Sequence, residues 1–386
     1  MATTITSGVR YSGIWTLPQV NAAISAGTWT GLPNGYLYSW GFNNNGQLGL
    51  GNTTYYSSPK QIGSLTTWLT IAPGYNTTIA VKTDGTLWTW GRNDSGQLGL
   101  GNTTNYSSPK QVGSLTTWSK IAGGQEYCIS VKTDGTLWAW GQSNYGQLGL
   151  GNVTFYSSPK QVGALTTWST IAAGSFHSIS VKTDGTLWTW GNNNVGQLGL
   201  GNTTVRSSPN QVGSLTTWLT IVGGPYFTIS VKTDGTFWAW GTNVNGQLGL
   251  GNTTNYSSPK QVGSLTTWLK IAAGYQFSIA TKTDGTVWTW GRNVFGQLGL
   301  GNTTNYSSPK QVGSLTTWLK ISAGDYNPIS IKTDGTLWTW GNGGGGRLGL
   351  GNTTSYSSPK QVGALTTWST IAGSTIGSHT VAIVPP

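Results

Sequence analysis

The sequence predicts an all-β protein built as a seven-bladed β-propeller with four antiparallel strands per blade. Two observations carry this prediction. The segment GQLGLGN at Gly46–Asn52 recurs every 50 residues, and the last of its seven copies reads GRLGLGN from Gly346. A fixed period of about 40–50 residues is typical of solenoids and propellers. Each period also contains four short runs typical of β-strands, separated by glycine-rich turns.

One repeat unit illustrates the four strands. Strand A is predicted at Trp68–Gly74 and strand B at Thr77–Lys82, which is rich in β-branched residues. The Asp-Gly pair that follows is typical of a tight hairpin turn and leads into strand C, Thr86–Trp90. After the GQLGLGN loop, strand D is predicted at positions such as Ser58–Ile62. Its proline and lysine suit the edge of a sheet.

The two ends of the chain predict how the ring closes. The first repeat begins with a C strand at Tyr36, and the last ends after a B strand at Thr380–Val384. The closing blade should therefore combine strands C and D from the N-terminal side with strands A and B from the C-terminal side. Residues 36–386 are predicted to form this propeller domain.

Residues 1–35 lie outside the repeat and are predicted to be a separate segment. A short helix is expected at Leu17–Ala26. The apolar side chains of Ile14, Trp15 and Trp29 are suited to anchoring the segment on another surface. Two interpretations stay open here: a cap on one face or edge of the propeller, and an anchor to a larger assembly.

Composition argues against several classes of protein. The single cysteine, Cys128, excludes an intramolecular disulfide framework. No apolar run approaches the roughly 20 residues that span a bilayer, so membrane insertion is not expected. The N-terminal sequence lacks the charged and apolar regions of a classical secretion signal. We therefore expect a protein made in the cytoplasm and not secreted by that route.

The net charge of +11 raises the question of nucleic-acid binding. Twelve lysines recur at two fixed positions of the repeat, six at the end of strand B and six in strand D, represented by Lys82 and Lys60. This spacing predicts a ring of solvated charges rather than one basic patch. Nucleic acid is therefore not predicted as a partner.

Nothing in the sequence indicates catalysis. Six of the nine carboxylates belong to the Asp-Gly turns, and the other three, Asp94, Glu126 and Asp325, fall in different repeats. No acid–base pair is therefore apparent. The glycine-rich loop lacks the Lys-Ser/Thr of a phosphate-binding loop. His177 and His379 have no Cys, Asp or Glu at metal-ligand spacing. We predict no enzyme activity, no cofactor and no metal.

The repeat resembles a known family. Residues Ile171–Asn202 read IAAGSFHSISVKTDGTLWTWGNNNVGQLGLGN, which is similar to the repeat of the regulator of chromosome condensation family. That repeat contains I-A-x-G, His-Ser, Asp-Gly, aromatic-x-Trp-Gly and Gly-Gln-Leu-Gly. The resemblance implies a seven-bladed propeller and a structural role for the histidine in strand B. It says little about function, because one fold hosts many functions.

Comparison of the repeats within the chain separates constant turns from varied loops. The B–C turn (KTDGT) and the D–A turn (GSLTTW) barely change, whereas the A–B and C–D connections differ between units. Because the strands alternate in direction, the two varied connections should lie on one face. Their Tyr, Phe, Asn, Ser and Gly content is typical of recognition surfaces, although loop drift is an alternative. The candidate ligand-binding residues are Tyr75, Arg92, Asp94, Glu126, Tyr145, Phe176, Tyr226, Tyr275, Arg292, Phe295, Asp325 and Tyr326.

The leading hypothesis is a non-catalytic binding or structural protein. Ser12–Trp29 resembles short segments in virion proteins of tailed phages, which implies a tail fibre, an adhesin or a capsid decoration protein located in the virion. Residues 1–35 would then contact other virion proteins, and the varied face would recognise a host-surface protein or glycan. The alternatives are a regulatory propeller, acting in guanine-nucleotide exchange or chromatin binding, and a protein inhibitor of an enzyme.

Overall fold

The computed structural model describes residues 35–386, which form seven four-stranded antiparallel sheets, each with the order A-B-C-D. The A strands are β3 (Trp68–Pro73), β7 (Trp118–Gly123), β11 (Trp168–Ala173), β15 (Trp218–Gly223), β19 (Trp268–Ala273), β23 (Trp318–Ala323) and β27 (Thr370–Gly373). The B strands are β4 (Thr77–Lys82), β8 (Tyr127–Lys132), β12 (His177–Lys182), β16 (Phe227–Lys232), β20 (Phe277–Lys282), β24 (Pro328–Lys332) and β28 (His379–Val384).

The remaining strands complete each blade. The C strands are β1 (Tyr36–Gly41), β5 (Leu87–Gly91), β9 (Leu137–Gly141), β13 (Leu187–Gly191), β17 (Phe237–Gly241), β21 (Val287–Gly291) and β25 (Leu337–Gly341). The D strands are β2 (Tyr56–Gln61), β6 (Tyr106–Gln111), β10 (Tyr156–Gln161), β14 (Arg206–Gln211), β18 (Tyr256–Gln261), β22 (Tyr306–Gln311) and β26 (Tyr356–Gln361). A short 3₁₀ helix, Gly344–Gly346, lies in the last C–D connection. Blade 1 contains β3–β6, and the numbering runs to blade 6, β23–β26.

The predicted closure of the ring is confirmed. Blade 7 contains β27 and β28 from the C-terminal side with β1 and β2 from the N-terminal side. Strands β1 and β28 pair over six residues, from Tyr36 opposite Val384 to Gly41 opposite His379.

The predicted strand limits need small corrections. Strand C of blade 1 begins at Leu87, because the backbone N–H and hydroxyl of Thr86 instead donate to Asp84 at 2.9 and 2.6 Å.

The GQLGLGN loop connects neighbouring blades by accepting a hydrogen bond from the next blade. The indole N–H of Trp90, in strand C of blade 1, donates to the carbonyl oxygen of Gln47 in the loop of blade 7, at 2.9 Å. Every C strand repeats this bond, and the one from Trp40 to Arg347 closes the ring at 3.0 Å. Trp90 is fully buried and meets Trp68 of strand A edge to face, at 5.9 Å between ring centroids.

The prediction that all twelve repeated lysines are solvated is wrong for five of the six at the ends of the B strands, which are buried, and the sixth, Lys282, is partly buried. Lys82 is only 8% exposed, and its ammonium lies 3.7 Å from the centroid of Trp88 and 4.9 Å from that of Trp68. The indole faces attract the cation and offset part of its desolvation. Burial still lowers the pKa of Lys82. The strand D lysines, such as Lys60, are exposed as predicted.

Candidate functional site

The A–B and C–D connections lie on one side of the propeller and contact one another there. We call this side the loop face. Arg92, from a C–D connection, pairs with Glu126 in the A–B connection of the next blade. Phe295 and Tyr326 make the equivalent contact between blades 5 and 6. The sequence candidates are therefore brought together in pairs across blade boundaries, which sequence spacing alone does not reveal.

The start of each B strand orients these side chains. Tyr226 is 36% exposed, whereas the next residue, Phe227, is fully buried. Phe176 and the buried His177 repeat this arrangement in blade 3. The buried residue of each pair begins strand B, and the more exposed residue before it belongs to the A–B connection, so it lies at the strand end that forms the loop face.

Six candidate aromatic residues form two groups on the loop face. The first aromatic group contains Tyr145, Phe176 and Tyr226, with centroid distances of 5.4 Å and 6.4 Å along the series. Burial raises the pKa of the Tyr226 hydroxyl.

The second aromatic group contains Tyr275, Tyr326 and Phe295. Tyr326 lies 5.3 Å from Tyr275 and 5.2 Å from Phe295, measured between ring centroids. The guanidinium of Arg292 lies 5.5 Å from the Tyr326 centroid. Both groups are packed well enough to be ordered and remain partly accessible, which suits contact with a partner.

Three charged candidates, Arg92, Asp94 and Glu126, form ion pairs with one another and do not remain unpaired on the surface. Arg92 donates to Asp94 at 2.8 Å and pairs with Glu126 at 2.7 Å. The Glu126 carboxylate also accepts from Ser95 at 3.0 Å and from Gln142 at 2.9 Å. The hydrogen bond with Asp94 raises the pKa of Arg92. This cluster links blades 1 and 2, so its first role is to hold the loops. Tyr75, in the neighbouring A–B connection, is half-buried.

Arg347 belongs to the loop face and was missed among the sequence candidates. It stands where every other repeat has glutamine in GQLG, and that departure was the available signal. Its side chain is almost fully buried, donates to the Gly344 carbonyl at 2.9 Å and lies 3.8 Å from Asp325. Its guanidinium also lies 5.1 Å from the Phe42 ring centroid.

Asp325 is a partly buried carboxylate of the loop face. Desolvation raises its pKa to about 7, although Arg347 and Arg292 oppose the shift. The 3.8 Å separation from Arg347 is too long for a strong hydrogen bond. The carboxylate therefore ionises reluctantly in the folded protein.

We expect the free energy of unfolding to decrease as the pH rises from about 4 to about 7 because of Asp325. In this window the folded protein retains a proton that the unfolded chain has released, so raising the pH favours unfolding. The Asp325→Asn variant should lose about 3 kcal/mol of this pH dependence. Chemical denaturation at both pH values measures the difference. Asp94→Asn, which removes an exposed carboxylate of the same face, is the control and should keep the wild-type slope.

A strained backbone also marks the loop face. Gln276 has φ of +68°, the one non-glycine residue with positive φ in the described part of the chain. Its carbonyl oxygen accepts from the backbone N–H of Arg292 at 2.9 Å, and its side-chain oxygen accepts from the guanidinium at 3.1 Å. Strained positions often cluster at functional sites, and this one adjoins the second aromatic group.

Other predicted features fall elsewhere. His177 and His379 are fully buried in strand B, at positions that also hold Tyr127, Phe227 and Phe277. Within residues 35–386, no three or more His, Cys, Asp or Glu side chains are placed to hold a metal ion. No helix in that range is long and apolar enough to cross a membrane. Ile14, Trp15, Trp29 and the expected helix at Leu17–Ala26 lie outside the described residues.

The fold and the loop face define this protein as a closed seven-bladed propeller with one varied surface. The regulator of chromosome condensation (RCC1) repeat matches residues 34–81, 84–131, 134–181, 184–231, 234–281, 284–327 and 334–383. A second RCC1 repeat description matches residues 70–97, 118–147, 168–197 and 268–297. The chain belongs to the RCC1 repeat family.

Solved structures agree with this fold. Prp20p from Saccharomyces cerevisiae is 20% identical, with 92% of each chain covered and a TM-score of 0.82. Human WBSCR16 is also 20% identical, covering 91% of this chain and 99% of its own, with a TM-score of 0.81. Yeast RCC1 (Prp20) with bound Kap60 gives 19% identity, 100% and 97% coverage and a TM-score of 0.81. At these identities the likeness shows the fold alone. No curated protein sequence matches the chain significantly.

Proposed function

We propose that this protein is a non-catalytic binding propeller whose loop face recognises a protein partner. The observation that carries the proposal is the pair of aromatic groups, in which rings from neighbouring blades meet on one face. Aromatic side chains supply large contact areas at a low entropic cost, and they dominate many protein interfaces. Loop drift does not account for rings that pack on one another across blade boundaries.

The charge distribution supports aromatic rather than electrostatic recognition. The three carboxylates outside the Asp-Gly turns, Asp94, Glu126 and Asp325, all lie on the loop face, where Arg92 and Arg347 pair with them. The loop face is therefore close to neutral, while the net charge of +11 resides elsewhere. A neutral face gains affinity from close packing and hydrogen bonds more than from charge steering.

The comparisons favour a regulatory partner over a virion partner. The structure of Prp20p was described together with its binding properties to Gsp1p and histones, and yeast RCC1 (Prp20) was solved with bound Kap60. By analogy with these relatives, we propose that the loop face of this chain binds a small GTPase or a chromatin component. The loops that would do so are short, because the 50-residue period has no insertion.

The virion hypothesis has one supporting observation, the resemblance of Ser12–Trp29 to segments of phage virion proteins. It places residues 1–35 against other virion proteins. The hypothesis predicts that mass spectrometry detects this chain in purified phage particles. Finding the chain in the cytoplasm but not in the particles would contradict the hypothesis.

The proposed binding is tested with the full chain immobilised and with Gsp1p and mononucleosomes as separate probes. In the test variant, the two aromatic groups are reduced by Tyr226→Ala, Tyr275→Ala and Tyr326→Ala. We expect this variant to raise the Kd of the bound probe at least about tenfold, since interface aromatic residues each contribute on the order of 1–2 kcal/mol or more.

The control variant removes apolar area from the opposite end of the A strands. Leu219→Ala and Leu269→Ala truncate side chains that are 55% and 50% exposed, and they should change the Kd less than twofold. Equal effects of the two variants would contradict the loop face as the binding surface. Failure to bind either probe, combined with detection in phage particles, would favour the virion hypothesis.

A further inference from the structure

A cavity lies between neighbouring blades, bounded on one side by the D–A turn and the GQLGLGN segment of one blade and on the other by strands of the next blade. The cavity between blades 5 and 6 has a volume of about 440 Å³ and is lined by Leu315, Trp318, Lys332, Trp338 and Pro359, among others. Equivalent cavities of about 430 Å³ contain Lys82, between blades 7 and 1, and Lys282, between blades 4 and 5. We call these three the lysine pockets. Their volumes lie within the range of small-ligand sites.

Each lysine pocket contains a lysine whose side chain is largely covered by two indole rings and whose ammonium makes no ion pair with a described residue. Lys332 is 8% exposed, and its ammonium lies 3.6 Å from the Trp338 centroid and 5.0 Å from that of Trp318. Among the described residues, no side chain or backbone oxygen accepts a hydrogen bond from this ammonium. Asp334, two residues away, instead accepts from Thr336 at 2.9 and 2.6 Å. Asp334 therefore acts on the ammonium only through space, and the hydrogen-bonding capacity of the ammonium remains free for a ligand.

A second donor beside the same cavity also lacks a partner. The indole N–H of Trp318 is buried and has no acceptor among residues 35–386, and the same holds for Trp68 and Trp268 in the other two lysine pockets. A buried donor without an acceptor is unfavourable. The indole nitrogen is itself inaccessible to solvent, so an acceptor in the cavity would reach it only if the ring moved.

The opposite wall of each pocket is apolar. Leu315 is 47% exposed at the rim, and Val312, Leu300 and Pro359 complete the lining. Leucine occupies the equivalent position in all seven repeats and is about half exposed in each, as part of the D–A turn that barely changes between repeats. An exposed leucine at the rim of the cavity offers a contact for an apolar group.

We propose that the lysine pockets bind a small amphiphilic anion, an apolar group that carries one carboxylate. The carboxylate oxygens accept from the ammonium of Lys332, Lys82 or Lys282, and the apolar body packs against the rim leucine and the indoles. One cation without a second positive neighbour matches a monoanion better than a phosphate dianion. A free carboxylic acid and the C-terminus of a peptide ending in an apolar residue share this chemistry.

Blade 7 provides a control within the same molecule. At its boundary with blade 6, a cavity of about 340 Å³ contains Tyr38, Leu365 and Trp368 but no lysine. Strand B of this blade ends at Val384, where the other blades have lysine. The apolar lining is retained and the cation is absent. This cavity beside Val384 should not bind the anion. A further cavity of about 400 Å³, between blades 3 and 4, has similar walls, but Lys232 does not line it.

Crystals of the full chain soaked with 3-(4-bromophenyl)propionate test the proposal, because anomalous scattering locates each bromine. We expect bromine peaks in the three lysine pockets, with carboxylate oxygens within hydrogen-bond distance of each ammonium, and no peak beside Val384. The neutral amide of the same acid should give no peaks. In the Lys332→Met variant, the peak between blades 5 and 6 should disappear while the other two remain.

Binding measured in solution shows whether the ligand binds outside the high concentrations of a crystal soak. It also distinguishes a free carboxylic acid from a peptide C-terminus as the ligand source. Saturation-transfer NMR should give a Kd at least tenfold lower for the bromophenyl acid than for its amide. N-acetyl-leucine and N-acetyl-leucinamide form the second pair, and preference for this acid would identify a peptide C-terminus as a ligand source. Equal binding of acids and amides, binding only in the crystal, or a bromine peak beside Val384 would overturn the proposal. The comparison of acid with amide uses the wild-type protein and so does not depend on the folding of the variant.

Discussion

Replacing Gly199 by alanine should destabilise the propeller by about 3–5 kcal/mol, whereas Gly213→Ala should cost only about 1–2 kcal/mol. Both glycines have positive φ, +74° and +59° respectively, so both variants pay the cost of a left-handed backbone. The surroundings differ. A Cβ at Gly199 would lie 2.7 Å from the indole nitrogen of Trp240, whereas a Cβ at Gly213 would meet nothing within 4 Å.

The clash at Gly199 acts on the bond that joins the blades. Trp240 donates to the carbonyl oxygen of Gln197 at 3.0 Å, and displacing the indole would break this contact between blades 3 and 4. Denaturant unfolding of both variants, followed by tryptophan fluorescence, measures the difference. Equal destabilisation would mean that backbone conformation, and not the contact between loop and indole, explains the glycine in this motif.

The fold could be predicted because the chain repeats its own pattern. The Asp-Gly turn, the paired tryptophans of strand C and the GQLGLGN loop each occur at a constant spacing. The closing blade followed from where the pattern starts and stops, and the pairing of β1 with β28 confirms it. The common face of the varied loops followed from strand alternation. These are properties of the backbone, which a local sequence pattern specifies well.

The side-chain contacts could not be predicted in the same way. The burial of Lys82 depends on its ammonium folding back over Trp88, a choice of rotamer that spacing does not reveal. The contact between Asp325 and Arg347 joins two loops of the same blade that are separated by a full hairpin. The division of the aromatic residues into two groups depends on contacts across blade boundaries. The sequence predicted which residues vary, and the structure determines which of them meet.

His177 is expected to make the protein sensitive to acid. Burial lowers the pKa of His177 to about 3. The hydroxyl of Thr228 donates to Gln197 at 2.9 Å, so its oxygen accepts from Nε2–H of His177 at 3.1 Å. The other ring nitrogen, Nδ1, is then unprotonated and has no partner among the described residues. A second proton would place an unpaired charge in the core.

Acid destabilises the folded protein because the unfolded chain binds a proton at this histidine more readily. Between about pH 6.5 and pH 3 the unfolded chain binds a proton that the folded protein excludes, so acid favours unfolding. At pH 4 this costs about 3 kcal/mol relative to pH 7.5. The His177→Phe variant should escape the part of the loss that comes from His177, because Phe227 and Phe277 occupy the same position in other blades. His379, whose pKa burial lowers to about 4, remains in both proteins. It should be about 1 kcal/mol less stable at pH 7.5, where it lacks the bond to Thr228.

The stability curves of wild type and His177→Phe should therefore cross as the pH falls, with the variant about 2 kcal/mol more stable at pH 4. Urea denaturation at both pH values measures this. Phe227→His is the reciprocal variant, since it introduces the imidazole at an equivalent buried position and should add acid sensitivity of the same sign. A constant difference between wild type and His177→Phe across this range would show that His177 accepts its second proton without cost, which would require an acceptor or solvent at Nδ1 in the folded protein.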